Sequence, residues 1–114
     1  MNILTSLLSL NLMIPHPGIV IQGQTNKHNA IDIVCMEGDK IVASHNGKMK
    51  YHYNRFMGNV VVIENESLRS SYSHLQSINK LDEVEKGDII GFCGSTGKWS
   101  NGPHLHFELY ETTN

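Results

Sequence analysis

Seven histidines stand out in this chain of 114 residues: His16, His28, His45, His52, His74, His104 and His106. Imidazole is the commonest metal-binding side chain and exchanges protons near neutral pH. The most informative placement is His104-Leu105-His106. Alternate side chains of a strand share a face, so His104 and His106 point the same way, about 6.5–7 Å apart, while Leu105 and Phe107 face a core. Pro103 suits the start of that strand, where its missing N–H costs least. Alone, such a pair is a weak signal and is more often two solvated strand histidines. The run His28-Asn29-Ala30-Ile31-Asp32 adds an imidazole and a carboxylate, both zinc ligand types. Fully extended, His28 and Asp32 would stand about 13 Å apart at Cα. A bend ahead of Ala30 lets both side chains turn toward one ion.

In combination the signal strengthens. His28, Asp32 and one histidine of the HLH pair make a His2Asp set, and catalytic zinc typically takes three protein ligands and an open fourth position. The other HLH histidine is then left beside that open position, as a general acid–base should be. His74, within Ser71-Tyr72-Ser73-His74-Leu75, sits at a strand end, from which it can reach the same cleft and hydrogen-bond a developing oxyanion.

Holding these groups requires a β scaffold. Short β-branched or aromatic runs occur at 19–22, 30–35, 40–44, 48–53, 59–64, 69–73, 88–93 and 104–110. Glu37-Gly38-Asp39, Asn46-Gly47, Lys86-Gly87-Asp88 and Gly94-Ser95-Thr96-Gly97 separate several of them, and Asn46-Gly47 has the chemistry of a tight hairpin turn. Regular short strands with polar turns predict an all-β fold, a compact antiparallel sandwich or barrel. Residues 1–14 are apolar, with Leu4, Leu7, Leu8 and Leu12 near helical spacing, and predict a short N-terminal helix docked on its own domain or on a partner. Pro15 and Pro17 separate it from a domain at 15–114.

The stretches HNAID, GNVVVIEN, YSHL, EKGDIIGFCGSTG and SNGPHLHFE resemble, in order, the motifs of the M23 zinc endopeptidases (lysostaphin-like, LytM-type). The resemblance covers roughly residues 15–110. It implies a lysostaphin-like core of the duplicated hybrid motif type. It also implies one zinc per chain held by His28, Asp32 and His106, with His74 and His104 catalytic. The implied reaction is hydrolysis of peptide bonds in the stem or cross-bridge peptides of bacterial peptidoglycan. Two departures concern substrate preference: Ala30 stands where the family often has glycine, and the turn around 64–68 is short and lacks one.

Net charge of −2 argues against a nucleic-acid partner held by a basic face. No apolar run approaches the ~20 residues that span a bilayer. The N-terminal segment has no basic start or clear cleavage site, hence no clear signal peptide, yet the implied substrate lies in the cell wall or periplasm. A minimal domain of this kind is expected in a phage virion component or released lysin, with residues 1–14 offering a contact to a virion or lysis assembly. A bacterial protein exported by an unusual route is the alternative. Two rival classes are a non-catalytic wall-binding or hydrolase-regulating module of the same fold, and a carrier domain suggested by 84–91. The carrier lacks support: Lys50 lies inside an expected strand rather than at an exposed tip. Of the remaining residues, His45 is expected to face solvent, and His52 could line a cleft wall. His16 could approach the site, and Trp99 and Tyr72 could contact substrate. Cys35 and Cys93 fit two small buried apolar residues better than a single pair.

Overall fold

The structure, a computed structural model, describes residues 3–22 and 29–112. A helix, α1 (Ile3–Ser9), precedes the strands β1 (Val20–Gln22), β2 (Ala30–Val34), β3 (Lys40–Val42), β4 (Gly47–Asn54) and β5 (Gly58–Glu64). Then follow β6 (Leu68–Leu75), β7 (Ser77–Ile78), β8 (Glu83–Val84), β9 (Ile89–Phe92) and β10 (His104–Glu111). All eight expected runs form strands. The two-residue β7 and β8 are too short to leave a periodic signal.

The strands form a seven-stranded sheet, β1-β2-β10-β6-β5-β4-β8, and a three-stranded sheet, β3-β9-β7. Every pairing is antiparallel. The predicted all-β antiparallel architecture is therefore the observed one. Alternation selects the core: Ile31 and Ile33 of β2 and Leu105, Phe107 and Leu109 of β10 are buried, and they meet Tyr72, Val61 and Ile63. Asp32, His104, His106 and Glu108 occupy the opposite faces of those two strands.

Ile3 and Leu7 of α1 join this core. Asn11 ends the helix with φ of 55°, and the Leu12 amide donates to the Leu7 carbonyl at 2.9 Å, a left-handed cap closed by a six-to-one bond. The Met13 amide then donates to Ser44 and the Val42 amide to Pro15. The apolar segment thus packs against the domain that follows it.

Three expectations need correction. Asn46-Gly47 closes no hairpin: β3 pairs with β9 and β4 with β5 and β8, so the dipeptide carries the chain between sheets. The tight connections fall instead at 55–57 and 65–67. In the second, the Asn65 side-chain oxygen accepts from the amides of Ser67 and Leu68, which makes glycine unnecessary. Nor does His45 face solvent. It is 3% exposed; its Nδ1–H donates to the Asn46 carbonyl at 2.8 Å, and its Nε2 meets the Ser70 hydroxyl, itself 2.7 Å from the Tyr72 hydroxyl. Finally, Cys35 and Cys93 form a disulfide, with Cα atoms 6.3 Å apart. Cys35 follows β2 in the large sheet and Cys93 follows β9 in the small one, so the bond joins the two sheets.

Each buried feature gives an expected outcome. Closing a loop between residues 58 positions apart stabilises by about 4 kcal/mol in the chain-entropy account. Cys35→Ser with Cys93→Ser should therefore lower unfolding free energy by about 2–5 kcal/mol in urea denaturation, and reduction of the wild type should reproduce the loss. Burial depresses the His45 pKa below 6.5, only partly opposed by the hydrogen bond to Asn46. The unfolded chain therefore takes up this proton first as pH falls. The associated stability is complete above pH 6.5 and is lost as pH falls through the folded-state pKa. Urea midpoints at about pH 7.5 and about pH 5.5 should differ less for His45→Gln than for the wild type; an equal difference would contradict this account.

Candidate active site

The central pair of the site is set by strand register. His106 of β10 lies directly opposite Asp32 of β2 and, on the other side, opposite Ser73 of β6. His106 Nδ1 stands 2.9 Å from Asp32 Oδ1, and its Nε2 stands 2.8 Å from Glu108 Oε2. The Tyr110 hydroxyl donates to Glu108 Oε1 at 2.8 Å. Glu108 and Tyr110 follow His106 at intervals of two on the same face. Burial would lower the His106 pKa, but the hydrogen bonds to Asp32 and Glu108 and the charges behind them prevail and raise it to about 9. Burial likewise raises the Asp32 pKa, and the hydrogen bond from His106 and the nearby imidazoles more than offset it, leaving a net lowering.

His104 lies at the edge of this pair. Its Nε2 is 3.9 Å from Asp32 Oδ1, a full ångström beyond the His106 contact. Its Nδ1 is 2.9 Å from the Gly102 carbonyl. A carbonyl only accepts, so Nδ1 carries the proton and Nε2 is left to exchange one.

His74 reaches the site through a break in the ladder. Tyr72 faces the core, so strict alternation would send His74 there too. Between the pairs Asn59–Leu75 and Val61–Tyr72 the register shifts, with an extra residue on β6. Within this bulge His74 adopts φ of 65°, one of two positive values among described non-glycine residues. A bulge re-aims side chains, and here it brings the His74 ring to 4.8 Å from His104 and 6.3 Å from His106. Its amide donates to Met57, and Nδ1–H donates to the Thr96 carbonyl at 2.7 Å. Burial is the main cause of a lowered His74 pKa, partly opposed by the Thr96 bond. His74 is therefore neutral at pH 7, protonated on Nδ1 and bare on Nε2.

Glycines let the Thr96 turn approach this closely. Gly58 and Gly97 have φ of 74° and 90°, and a Cβ on Gly97 would strike the Gly58 nitrogen and Phe56 oxygen. No side chain fits there.

The structure thus brings together Asp32, His74, His104 and His106. His28 lies outside the described residues, and among those described no complete cluster of three metal ligands occurs. The available donors nonetheless fit zinc. Tetrahedral ligands on bonds of ~2.0–2.1 Å stand about 3.3 Å apart, close to the 2.9 Å between Asp32 Oδ1 and His106 Nδ1. Glu108 on the distal nitrogen is the usual carboxylate support of a ligating imidazole.

The remaining candidates make none of these contacts. Tyr72 is fully buried against Phe107 and is withdrawn as a substrate contact. His16 pairs with Asp39 at 3.0 Å, and His52 is exposed on β4. Trp99 is 65% exposed. The roles of Glu108 and of the Thr96 and Gly102 carbonyls went unread. Spacing could have indicated Glu108, whereas a backbone carbonyl leaves no signal in sequence.

A family model described as Peptidase family M23 matches residues 26–114. The chain is 36% identical over 84 residues to the DD-carboxypeptidase/endopeptidase Mpg of Neisseria meningitidis serogroup B, covering 71% of this chain and 19% of that protein. It is 33% identical over 87 residues to the murein hydrolase activator NlpD of Escherichia coli, covering 72% and 22%. The chain therefore spans about a fifth of the length of the curated relatives it matches. Among solved structures it is similar to a zinc containing peptidase from Vibrio cholerae, with TM-score 0.69, 27% identity and coverage of 89% and 34%. The catalytic domain of the antimicrobial peptidase lysostaphin from Staphylococcus simulans gives TM-score 0.68, 29% identity and coverage of 96% and 86%. The fold is lysostaphin-like, and the matched family model spans most of the chain, Asp32, His74, His104 and His106 included: this protein is a member of peptidase family M23.

Proposed function

We propose that this protein is a zinc-dependent endopeptidase that hydrolyses peptide bonds in bacterial peptidoglycan stem or cross-bridge peptides. The observation that carries the reading is the pairing of His74 and His104. Each is tied to a carbonyl through Nδ1, and they stand beside the Asp32–His106 donor pair. His28, Asp32 and His106 would hold the metal. Zinc bound there would supply Lewis-acid polarisation of the scissile carbonyl.

The remaining chemistry belongs to the two histidines. His104 Nε2, with Nδ1–H committed to Gly102, takes a proton from the attacking water and returns it to the departing amine. Neutral His74 presents a lone pair at Nε2, and it can donate there to an oxyanion only while the proton taken from the water resides on it rather than on His104. The ring separation of 4.8 Å lets both imidazoles serve one substrate.

Similarity to Mpg and lysostaphin supports peptide hydrolysis. Similarity to NlpD favours a second reading, a module that activates another hydrolase. The complete histidine pair, with ring centroids 4.8 Å apart beside two metal donors, supports the enzyme. No helix among the described residues is long and apolar enough to cross a membrane, and the Cys35–Cys93 disulfide suits an oxidising compartment such as the wall or periplasm.

Metal analysis of the purified chain tests this reading. About one zinc per chain, with wall hydrolysis lost on chelation and restored by zinc, is the expected result. A metal-free protein that stimulates a second hydrolase would support the activator.

A further inference from the structure

We propose that Trp99, stacked on Phe56 and flanked by Arg55 and Lys98, is a substrate-binding platform for a carboxylate-bearing peptide segment beside the catalytic histidines. The inference rests on the endopeptidase reading and adds to it where the peptide lies and what charge it carries.

The platform is built from two loops. Asn54 Oδ1 accepts from the amides of Phe56 and Met57 and fixes the turn between β4 and β5. The loop between β9 and β10 lies across that turn: the Lys98 amide donates to the Arg55 carbonyl at 2.9 Å and the Trp99 amide to the Phe56 carbonyl at 3.0 Å. The two rings then stack with centroids 4.6 Å apart and planes at 27°. The Arg55 guanidinium lies 4.9 Å over the Phe56 ring. Phe56 is half-buried, yet Trp99 remains 65% exposed. A rigid indole held by backbone bonds with most of its surface in water is poor use of a core residue and good use of a binding one.

Position supports a role in the reaction. The same loop holds His74 through the Thr96 carbonyl, three residues before Trp99, and holds His104 through the Gly102 carbonyl, three residues after it. Ser100, next to Trp99, donates to that Gly102 carbonyl at 2.8 Å. One loop thus carries the indole and the carbonyls that hold both histidines, which is the ground for placing the peptide across both.

Charge selects the ligand. Arg55 and Lys98 are both exposed, and among the described residues neither pairs with a carboxylate. A guanidinium held over a ring and exposed to solvent keeps N–H groups available for a carboxylate. Arg55 over the Phe56 ring and Lys98 next to Trp99 in the chain make the platform positive, which disfavours an amine that would otherwise suit an indole. An acidic peptide whose aliphatic part rests on Trp99 satisfies both features.

Trp99 is the chain's one tryptophan, so its fluorescence reports this platform alone. The full chain is titrated with a synthetic acidic wall stem peptide and with the same peptide fully amidated. Saturable change in Trp99 emission with the acidic peptide, and about tenfold weaker binding of the amidated one, is expected. R55Q with K98Q should weaken the acidic peptide to the amidated level, and W99A should raise KM about tenfold, with the loss falling on KM rather than kcat. Emission that does not change at saturating turnover, or equal binding of both peptides, would overturn the platform while leaving wall hydrolysis intact. If the peptide binds Trp99 but no bond is cut, the endopeptidase reading fails and the platform stands.

Discussion

Replacing Asp32 by alanine is expected to release zinc and reduce wall-peptide hydrolysis to background. Asp32 Oδ1 lies 2.9 Å from His106 Nδ1, within the spacing that two ligands of one zinc ion require. In the proposed set of His28, Asp32 and His106, removing either Asp32 or His106 would leave the metal with two protein ligands. The effect should exceed the ~10–100-fold loss of affinity that follows removal of an outer-sphere partner. His106→Ala should behave in the same way. Glu108→Gln, which keeps a hydrogen-bond acceptor for His106 Nε2 but removes the charge, should weaken zinc only within that smaller range. Competition against a chromophoric chelator measures all three. Full zinc occupancy in Asp32→Ala would remove Asp32 from the ligand set.

His104→Ala should show the opposite separation: zinc retained and kcat reduced by about 10²–10⁴, the reach of one general acid–base. His104 Nε2 stands 3.9 Å from Asp32 Oδ1, and its Nδ1 is engaged by Gly102. It is therefore held beside the donor pair rather than within it. Loss of zinc from this variant would mean that the two HLH histidines exchange roles. Steady-state kinetics and metal content of one preparation decide between these outcomes.

The face shared by His104 and His106 was legible because a strand repeats every two residues and Leu105 and Phe107 had to be buried. Spacing grouped Asp32 with one of the two histidines but did not say which one it would face. Asp32 lies 74 positions away, and only the pairing of β10 with β2 brings it opposite. His74 shows the limit of periodicity more sharply. Two residues from the buried Tyr72, it belongs by alternation to the core; the register shift in β6 and its left-handed backbone carry it into the site. His45 misled in the reverse direction. Its sequence neighbours are turn formers, but its partner Ser70 comes from a strand 25 positions on. Asn46-Gly47 has hairpin chemistry, yet β3 and β4 belong to different sheets, so topology overrode local preference. Cys35 and Cys93 likewise meet only because β2 and β9 end at the same edge of the two layers, a juxtaposition that neither residue's neighbours encode. The family resemblance filled much of this gap, since an ordered set of motifs carries the topology that spacing alone does not.

Mass spectrometry of the soluble fragments released from purified bacterial walls tests the central claim most directly. The wild-type protein should release fragments with new amino termini inside the wall peptides. Their release should stop with chelator, return with zinc and be absent for His104→Ala. Fragments cut only between sugars, or peptide fragments released equally by His104→Ala and in the presence of chelator, would contradict a zinc endopeptidase built on these histidines.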